Sequence, residues 1–244
     1  MIKLSVNVNK IATLRNSRGE KSPSVTSFAQ ESISAGAHGI TVHPRPDGRH
    51  IQKQDVLDLR HLIHSPIEYN IEGYPDERYQ RIIAEVTPDQ ATLVPDPPNA
   101  LTSDSGWNVI KHTHFLQDVI QVLKSVGAAR ISLFIGTDLN QIEAAKKVGA
   151  DRIELYTKPF ADSFEAGNEL KVFKSFATAA KYATEIGLGV NAGHDLNLTN
   201  LRLLKNLPGL LEVSIGHALV CDALMMGWKN TIQAYLNVLN SNHF

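Results

Sequence analysis

Short β-rich apolar runs alternate along the whole chain with longer stretches whose apolar residues recur at helical spacing. The β-type runs are Lys3–Val8, Gly39–His43, Ile67–Ile71, Ala91–Val94, Arg130–Ile135, Arg152–Leu155, Gly189–Asn191 and Glu212–Ile215. Between them the pattern predicts helices over Val25–Ala35, Asp55–Ile63, Asp76–Val86, Phe115–Val126, Leu139–Val148, Glu169–Ile186, Leu198–Leu207 and Ala218–Leu239. Gly36, Gly127, Gly149 and Gly187 each stand where a helix must end before the next strand, the usual place of a C-terminal glycine. Eight such units in 244 residues predict an α/β fold, a single-domain (β/α)8 TIM barrel over residues 1–244. A doubly wound open sheet is the alternative, and it needs a reversal of strand order.

Residues two apart on a strand share a face. Ser5, Asn7 and Asn9 fall on one face of the first run, Thr41 and His43 on one face of the second. Glu68, Asn70 and Glu72 share a face of the third, and Arg152, Glu154 and Tyr156 of the sixth. The seventh and eighth add Asn191 and Ser214. The helix-facing side of a barrel strand must be apolar, so these polar faces are predicted to point into the lumen. Such a lumen has to satisfy its groups internally or hold a polar ligand. A hydrogen-bonded network low in the barrel with a site above it accommodates both.

Composition narrows the function. Hydrophobic residues make up 43%, enough to fill a sizeable core. With 24 Lys+Arg against 25 Asp+Glu, the net charge of −1 speaks against a nucleic-acid or membrane-surface role. A lone cysteine, Cys221, rules out an internal disulfide framework and reads, among apolar neighbours, as a buried structural thiol. No run is long and apolar enough to span a bilayer, and the first residues read as a strand rather than a signal peptide. The expectation is a soluble cytoplasmic protein.

The chemistry gathers at strand ends. The stretch Gly39–His50 runs as a strand, breaks at Pro44 and Pro46, and then delivers His43, Arg45, Arg49 and His50. His43, Glu72, Glu154 and His194 are acid–base candidates from four separate strands, which a barrel would bring to one mouth. Arg15, Arg18, Arg45, Arg49, His50 and the backbone at Gly193 and Gly216 are candidates for holding anions. Gly216-His217 lies between the last strand and its helix, where barrels often bind phosphate. Pro95–Trp107 has neither strand nor helix pattern and reads as a lid. His43, His50, His194 and His217 lack the short paired spacing of a structural zinc site, so no metal is expected.

Taken together, Ser5–Gly19, Gly39–His43, Asp47–His50, Val190–His194 and Ser214–Ala218 closely resemble the pyridoxine 5'-phosphate synthase family. The resemblance runs from the first strand to the last helix. It implies a (β/α)8 barrel, a homo-octamer without metal or organic cofactor. The implied reaction condenses 3-amino-2-oxopropyl phosphate with 1-deoxy-D-xylulose 5-phosphate to pyridoxine 5'-phosphate, phosphate and water. It further implies that His43 and Glu72 accept protons, that His194 donates one, and that Glu154 is a further acid in the mouth. Asn7, Arg18 and Gly216-His217 resemble the aminoketone-phosphate site, and Arg45, His50 and Thr102 the deoxyxylulose-phosphate site. The chain carries Asn9-Lys10, Asp195 and Tyr156-Thr-Lys158 where the family commonly has other residues. Asn9 and Lys10 keep polar reach to the deoxyxylulose phosphate, and the Asp195 backbone keeps a donor. Two rivals remain at this stage: an aldolase-like barrel forming a Schiff base on Lys158, and a non-catalytic barrel that binds phosphorylated ligands.

Overall fold

The computed structural model describes residues 1–96 and 105–241. Eight parallel strands close on themselves in sequence order: β1 (Lys3–Asn7), β2 (Gly39–Val42), β3 (Glu68–Gly73), β4 (Gln90–Leu93), β5 (Ile131–Ile135), β6 (Arg152–Tyr156), β7 (Gly189–Gly193) and β8 (Leu210–Ile215). β8 returns to β1, with Ser5 opposite Ser214, so no sheet edge is left unpaired. The closed barrel excludes the open-sheet alternative.

Each predicted helix exists, and several bounds differ. The set is α2 (Val25–Ser34), α3 (Lys53–Leu62), α4 (Glu77–Val86), α5 (Thr113–Ser125), α6 (Leu139–Lys147), α8 (Glu169–Glu185), the single turn α9 (Leu201–Leu204), α10 (His217–Met226) and α11 (Trp228–Asn240). The long last helix is thus two, broken at Gly227, whose φ of +77° no other residue type adopts easily. Two short helices escaped the pattern, α1 (Asn9–Asn16) and α7 (Lys158–Glu165). Both begin on polar residues and bury only two side chains each, Ile11 and Ala12 in α1 and Phe160 and Ser163 in α7, too few to show a period.

Helix-facing strand residues such as Leu4, Val6, Ile40, Ile71, Leu133 and Ile153 are fully buried. The inward faces form a hydrogen-bonded chain across the lower lumen. Ser5 and Thr41 hydroxyls meet at 2.7 Å, Asn70 Nδ2 donates to Thr41, and Thr92 donates to Asn70 at 2.9 Å. Asn191 Nδ2 donates to Gln90 and Glu212, while Arg130 donates to Gln90 and Arg152 to Asn191. Glu68 is paired by Lys3 and Arg130 at the barrel floor.

Cys221 corrects an expectation: it is exposed, on α10, with Sγ 3.7 Å from His217 Nε2. Its apolar neighbours imitate a core segment, yet only Leu219 of α10 is buried. Among the described residues, no helix is long and apolar enough to cross a membrane.

Beyond β4, Ser105–Trp107 lie at the barrel rim. Trp107 is buried, its backbone N–H donates to Phe134 O and its indole N–H to Leu93 O. A Cβ on Gly106 would come within 2.6 Å of the Ile135 backbone, which cannot yield as a side chain can. Gly106→Ala is therefore expected to cost about 1–3 kcal/mol, lowering Tm by roughly 2–10 °C in a thermal melt. An unchanged Tm would show that the rim adapts.

Candidate functional site

All eight strands feed one cavity of about 520 Å³ at their carboxyl ends. Its lining includes Asn7, Asn9 and Lys10 after β1, His43, Arg45, Arg49 and His50 after β2, and Glu72 on β3. Val94, Phe134, Glu154 and Lys158 close one side, and His194, Asp195, Gly216 and His217 the other. The four acid–base candidates therefore meet, as a closed barrel requires.

Sharp turns aim the β1, β2 and β8 groups. Asn7 Oδ1 accepts from the Asn9 N–H at 3.0 Å, starting α1, and Asn9 Oδ1 accepts from the His43 N–H at 2.9 Å. The Asn9 side chain thus fixes the backbone that carries His43. Gly216 passes close over Asn7, where a Cβ would sit 3.1 Å from the asparagine side chain. This close approach brings the N-terminus of α10, with Gly216, His217 and Ala218, onto the cavity wall. Backbone N–H groups at such an end favour an anion.

On the other side Thr157 clamps the β7 exit. Its hydroxyl donates to Gly193 O at 2.7 Å and to His194 O at 2.5 Å. A Cβ on Gly193 would lie 2.2 Å from Glu154 Oε1, so only glycine leaves room for that carboxyl. Gly193 is better explained by this approach than by an anion contact.

Electrostatics divide the cavity. Burial pushes His43 well below the ordinary histidine range, and neighbouring Arg45 and His50 push the same way. Burial, Arg45 and Lys10 bring His50 to about 4. Its Nδ1 accepts from the Ile51 N–H at 2.9 Å, and its ring lies 6.1 Å from that of His43. Both imidazoles are neutral near pH 7, which suits proton acceptance. Opposite them burial, with Asp96 and Glu212 adding repulsion, raises Glu72 to about 8. Burial raises Glu154 well above the carboxylate range, aided by Glu72 and Glu212. Both carboxyl groups are therefore held protonated near pH 7, and a cationic group beside them would favour their ionised forms.

Several expected groups are elsewhere. Arg18 does not line the cavity: the turn after α1 carries it outward, 77% exposed and 3.7 Å from Glu20. Arg15 forms a bidentate pair with Asp55 that ties α1 to α3. Arg45 does reach the cavity, buried against Asp96 at 3.2 Å, while Arg49 pairs with Asp47. Thr102 and the middle of the proposed lid lie outside the described residues. Sequence reading missed Thr157 and Asp96 as supporting residues; no local pattern marks either, since their partners are 36 and 51 positions away. Among the described residues no group of three or more His, Cys, Asp or Glu could hold a metal ion.

The profile of the family described as pyridoxal phosphate biosynthesis protein PdxJ matches residues 4–241. The chain is 52% identical over 242 residues to pyridoxine 5'-phosphate synthase of Parabacteroides distasonis, covering 99% of this chain and 100% of that one. It is 52% identical over 240 residues to the protein of the same name from Christiangramia forsetii, covering 98% and 100%. Among solved structures it is similar to phosphoribosylanthranilate isomerase of Thermotoga maritima, with a TM-score of 0.57 at 12% identity over 98% of each chain. Thiamine phosphate pyrophosphorylase of Pyrococcus furiosus superposes with a TM-score of 0.60 at 12% identity over 98% and 95%. These two likenesses concern the fold alone.

A raised Glu72 fixes a sign for stability against pH. Between its ordinary value of 4.5 and its folded value of about 8, the folded chain holds a proton that the unfolded chain has released. Stability must then fall as pH rises through that window. The Glu72→Gln variant loses this contribution, so its Tm should gain on the wild type from pH 5 to pH 8. Parallel melting curves across that range would overturn the assignment.

Proposed function

The chain belongs to the pyridoxal phosphate biosynthesis protein PdxJ family, and we propose that it is a pyridoxine 5'-phosphate synthase. It condenses 3-amino-2-oxopropyl phosphate with 1-deoxy-D-xylulose 5-phosphate, releasing pyridoxine 5'-phosphate, phosphate and water. The observation that carries this reading is the meeting of His43, Glu72, Glu154 and His194 around one cavity between two anion-favouring walls. Joining an amine to a ketone, then dehydrating and aromatising, requires repeated proton transfers and no electron acceptor.

The electrostatics support the roles of His43 and Glu72. His43, neutral and buried, serves as a base. Glu72 becomes a base once the substrate's ammonium group enters and favours its carboxylate. His194 donates a proton from the opposite rim, and Glu154 supplies a second carboxyl beside Glu72. Asn7 and the α10 N-terminus at Gly216-His217 hold the aminoketone phosphate. Arg45 and His50, with Lys10 beside them, face the deoxyxylulose phosphate. The Asp195 backbone borders the same space. Arg18, turned to solvent beside Glu20, takes no part in this reading of a single chain.

One observation weighs against the Schiff-base rival. Lys158 is bonded to Asp162 at 2.8 Å, a contact that raises its pKa and keeps it protonated. An amine nucleophile needs the opposite shift. The non-catalytic rival leaves the convergence of four acid–base groups without a use.

We extend the reading to assembly and compartment, as a homo-octamer in a reducing cytoplasm. Leu224 and Met225 at the end of α10 are 78% and 89% exposed, and α1, which packs on α10, exposes Leu14. A second copy covering this apolar face would explain the exposure.

The deciding assay supplies both substrates and looks for pyridoxine 5'-phosphate by mass spectrometry; no product means another activity. His43→Ala and Glu72→Gln are each expected to lower kcat by about 10²–10⁴-fold while melting cooperatively. His194→Asn should lower kcat more than it raises KM; a change confined to KM would make it a binding residue. Met225→Glu, introducing a charge into the exposed apolar face, should yield smaller species in light scattering after gel filtration. Unchanged mass would remove α10 from the interface.

A further inference from the structure

The turn that carries His194 is strained. His194 has φ +88° and Asp195 has φ +57°, both left-handed and neither a glycine. Around them the chain is tightly held: Thr157 binds the Gly193 and His194 carbonyls, and Asn200 Nδ2 donates to Asp195 O at 3.0 Å. A glycine would occupy position 195 at lower backbone cost. The Asp195 side chain has a specific use there. Its Oδ2 lies 3.1 Å from His194 Nδ1, an ion-pair distance outside hydrogen-bond alignment, and 3.9 Å from Lys158 Nζ. Lys158 is itself fixed by Asp162. The Tyr156 ring meets the imidazole edge-on with centroids 5.2 Å apart and planes at 78°, so the histidine is held on a second side.

We propose that Asp195 is a positioning residue for the proton donor: its carboxylate binds His194 Nδ1, fixes the ring, and commits proton transfer to Nε2. The proposal rests on the reading of His194 as donor in pyridoxine 5'-phosphate synthesis. A carboxylate at one ring nitrogen orients the imidazole and stabilises its charged form, so the other nitrogen can deliver a proton near neutral pH. Contact with His194 is the first cause that holds Asp195 below the usual carboxylate range, with the charges of Lys158 and His217 adding to it. Lys158 thus keeps Asp195 ionised and braces it from the far side. The other ionisable groups facing this part of the cavity are Glu154 and Tyr156 from β6, Glu72 from β3 and His217 from α10.

Asp195→Asn and Asp195→Gly test this. Both should lower kcat by about 10- to 100-fold, the range for losing a charge-assisted contact, with KM changed only a few-fold. In Asp195→Asn the alkaline limb of the kcat profile should move to lower pH. The His194 ring nitrogens, assigned by the signals lost in His194→Asn, should give shifted 15N resonances in the NMR spectrum of Asp195→Asn relative to the wild type at the same pH. Asp195→Gly relieves the left-handed strain and should melt within about 2 °C of the wild type or above it. A purely structural role predicts instead a lower Tm with kcat and its pH limb unmoved, and that result overturns the proposal. So do unchanged His194 ring resonances. The spectrum needs no turnover. If the wild type makes no pyridoxine 5'-phosphate, the functional reading falls while the pairing of Asp195 with His194 is still decided by the spectrum.

Discussion

Inward-pointing side chains of a closed eight-stranded barrel have no bulk water to turn to, so each polar atom there must find a protein partner or a ligand. Everything else in this molecule follows from how that demand is met. In the lower lumen Ser5, Thr41, Asn70, Thr92, Gln90 and Asn191 pass hydrogen bonds from strand to strand. Arg130 and Arg152 reach in from the floor to balance Glu68 and Glu212. The network ends below the rim, and above it stand Glu72 and Glu154. Their raised proton affinities reflect burial without enough nearby positive charge.

That shortage has an opposite on the β2 side. There Arg45 and Lys10 help to hold His43 and His50 neutral. A ligand carrying an amine and two phosphates in all, supplied by two substrates, has complementary charges for the two walls. The amine would ionise Glu72, and phosphate beside Arg45 would raise the proton affinity of the histidines. Proton positions in the cavity thus change as substrates enter. This suits a reaction in which the same few groups must give and take protons several times.

Much of this was legible in the sequence because strand periodicity and strand-end chemistry are local. The polar face of the third strand could be read from Glu68, Asn70 and Glu72 alone, and the barrel follows from the eight repeats. His43, Glu72, Glu154 and His194 were placed at one mouth by the same logic. The misses share a different cause. Arg15 and Arg18 stand three positions apart, yet the turn after α1 sends Arg18 to solvent and a distant Asp55 captures Arg15. Cys221 lies in an apolar helix whose outer face this chain does not cover. The short helices α1 and α7 have too few buried residues to print a period. Each of these depends on how the folded chain directs or covers a residue, and spacing does not encode that.

The two rims of the cavity are built to different tolerances, and close backbone approach explains why. On β6 and β7 the Glu154 carboxyl occupies the space that a side chain at Gly193 would fill. Glu154 is therefore held by a strand pair in register, with Glu154 opposite Asn191 and Tyr156 opposite Gly193. The next residues, His194 and Asp195, must leave that strand at once, and they do so through left-handed backbone held by Thr157. Groups on rigid strands keep their geometry without further help, whereas a group on a strained turn needs bracing from side chains. The β2 rim shows the same rule: His43 follows directly on its strand and is steadied by Asn9, a single hydrogen bond to its backbone. His194 also follows directly on its strand, but its own backbone is left-handed, and it has Thr157, Tyr156, Asp195 and, through Asp195, Lys158. Supporting contacts are denser where the chain leaves its strand through left-handed backbone.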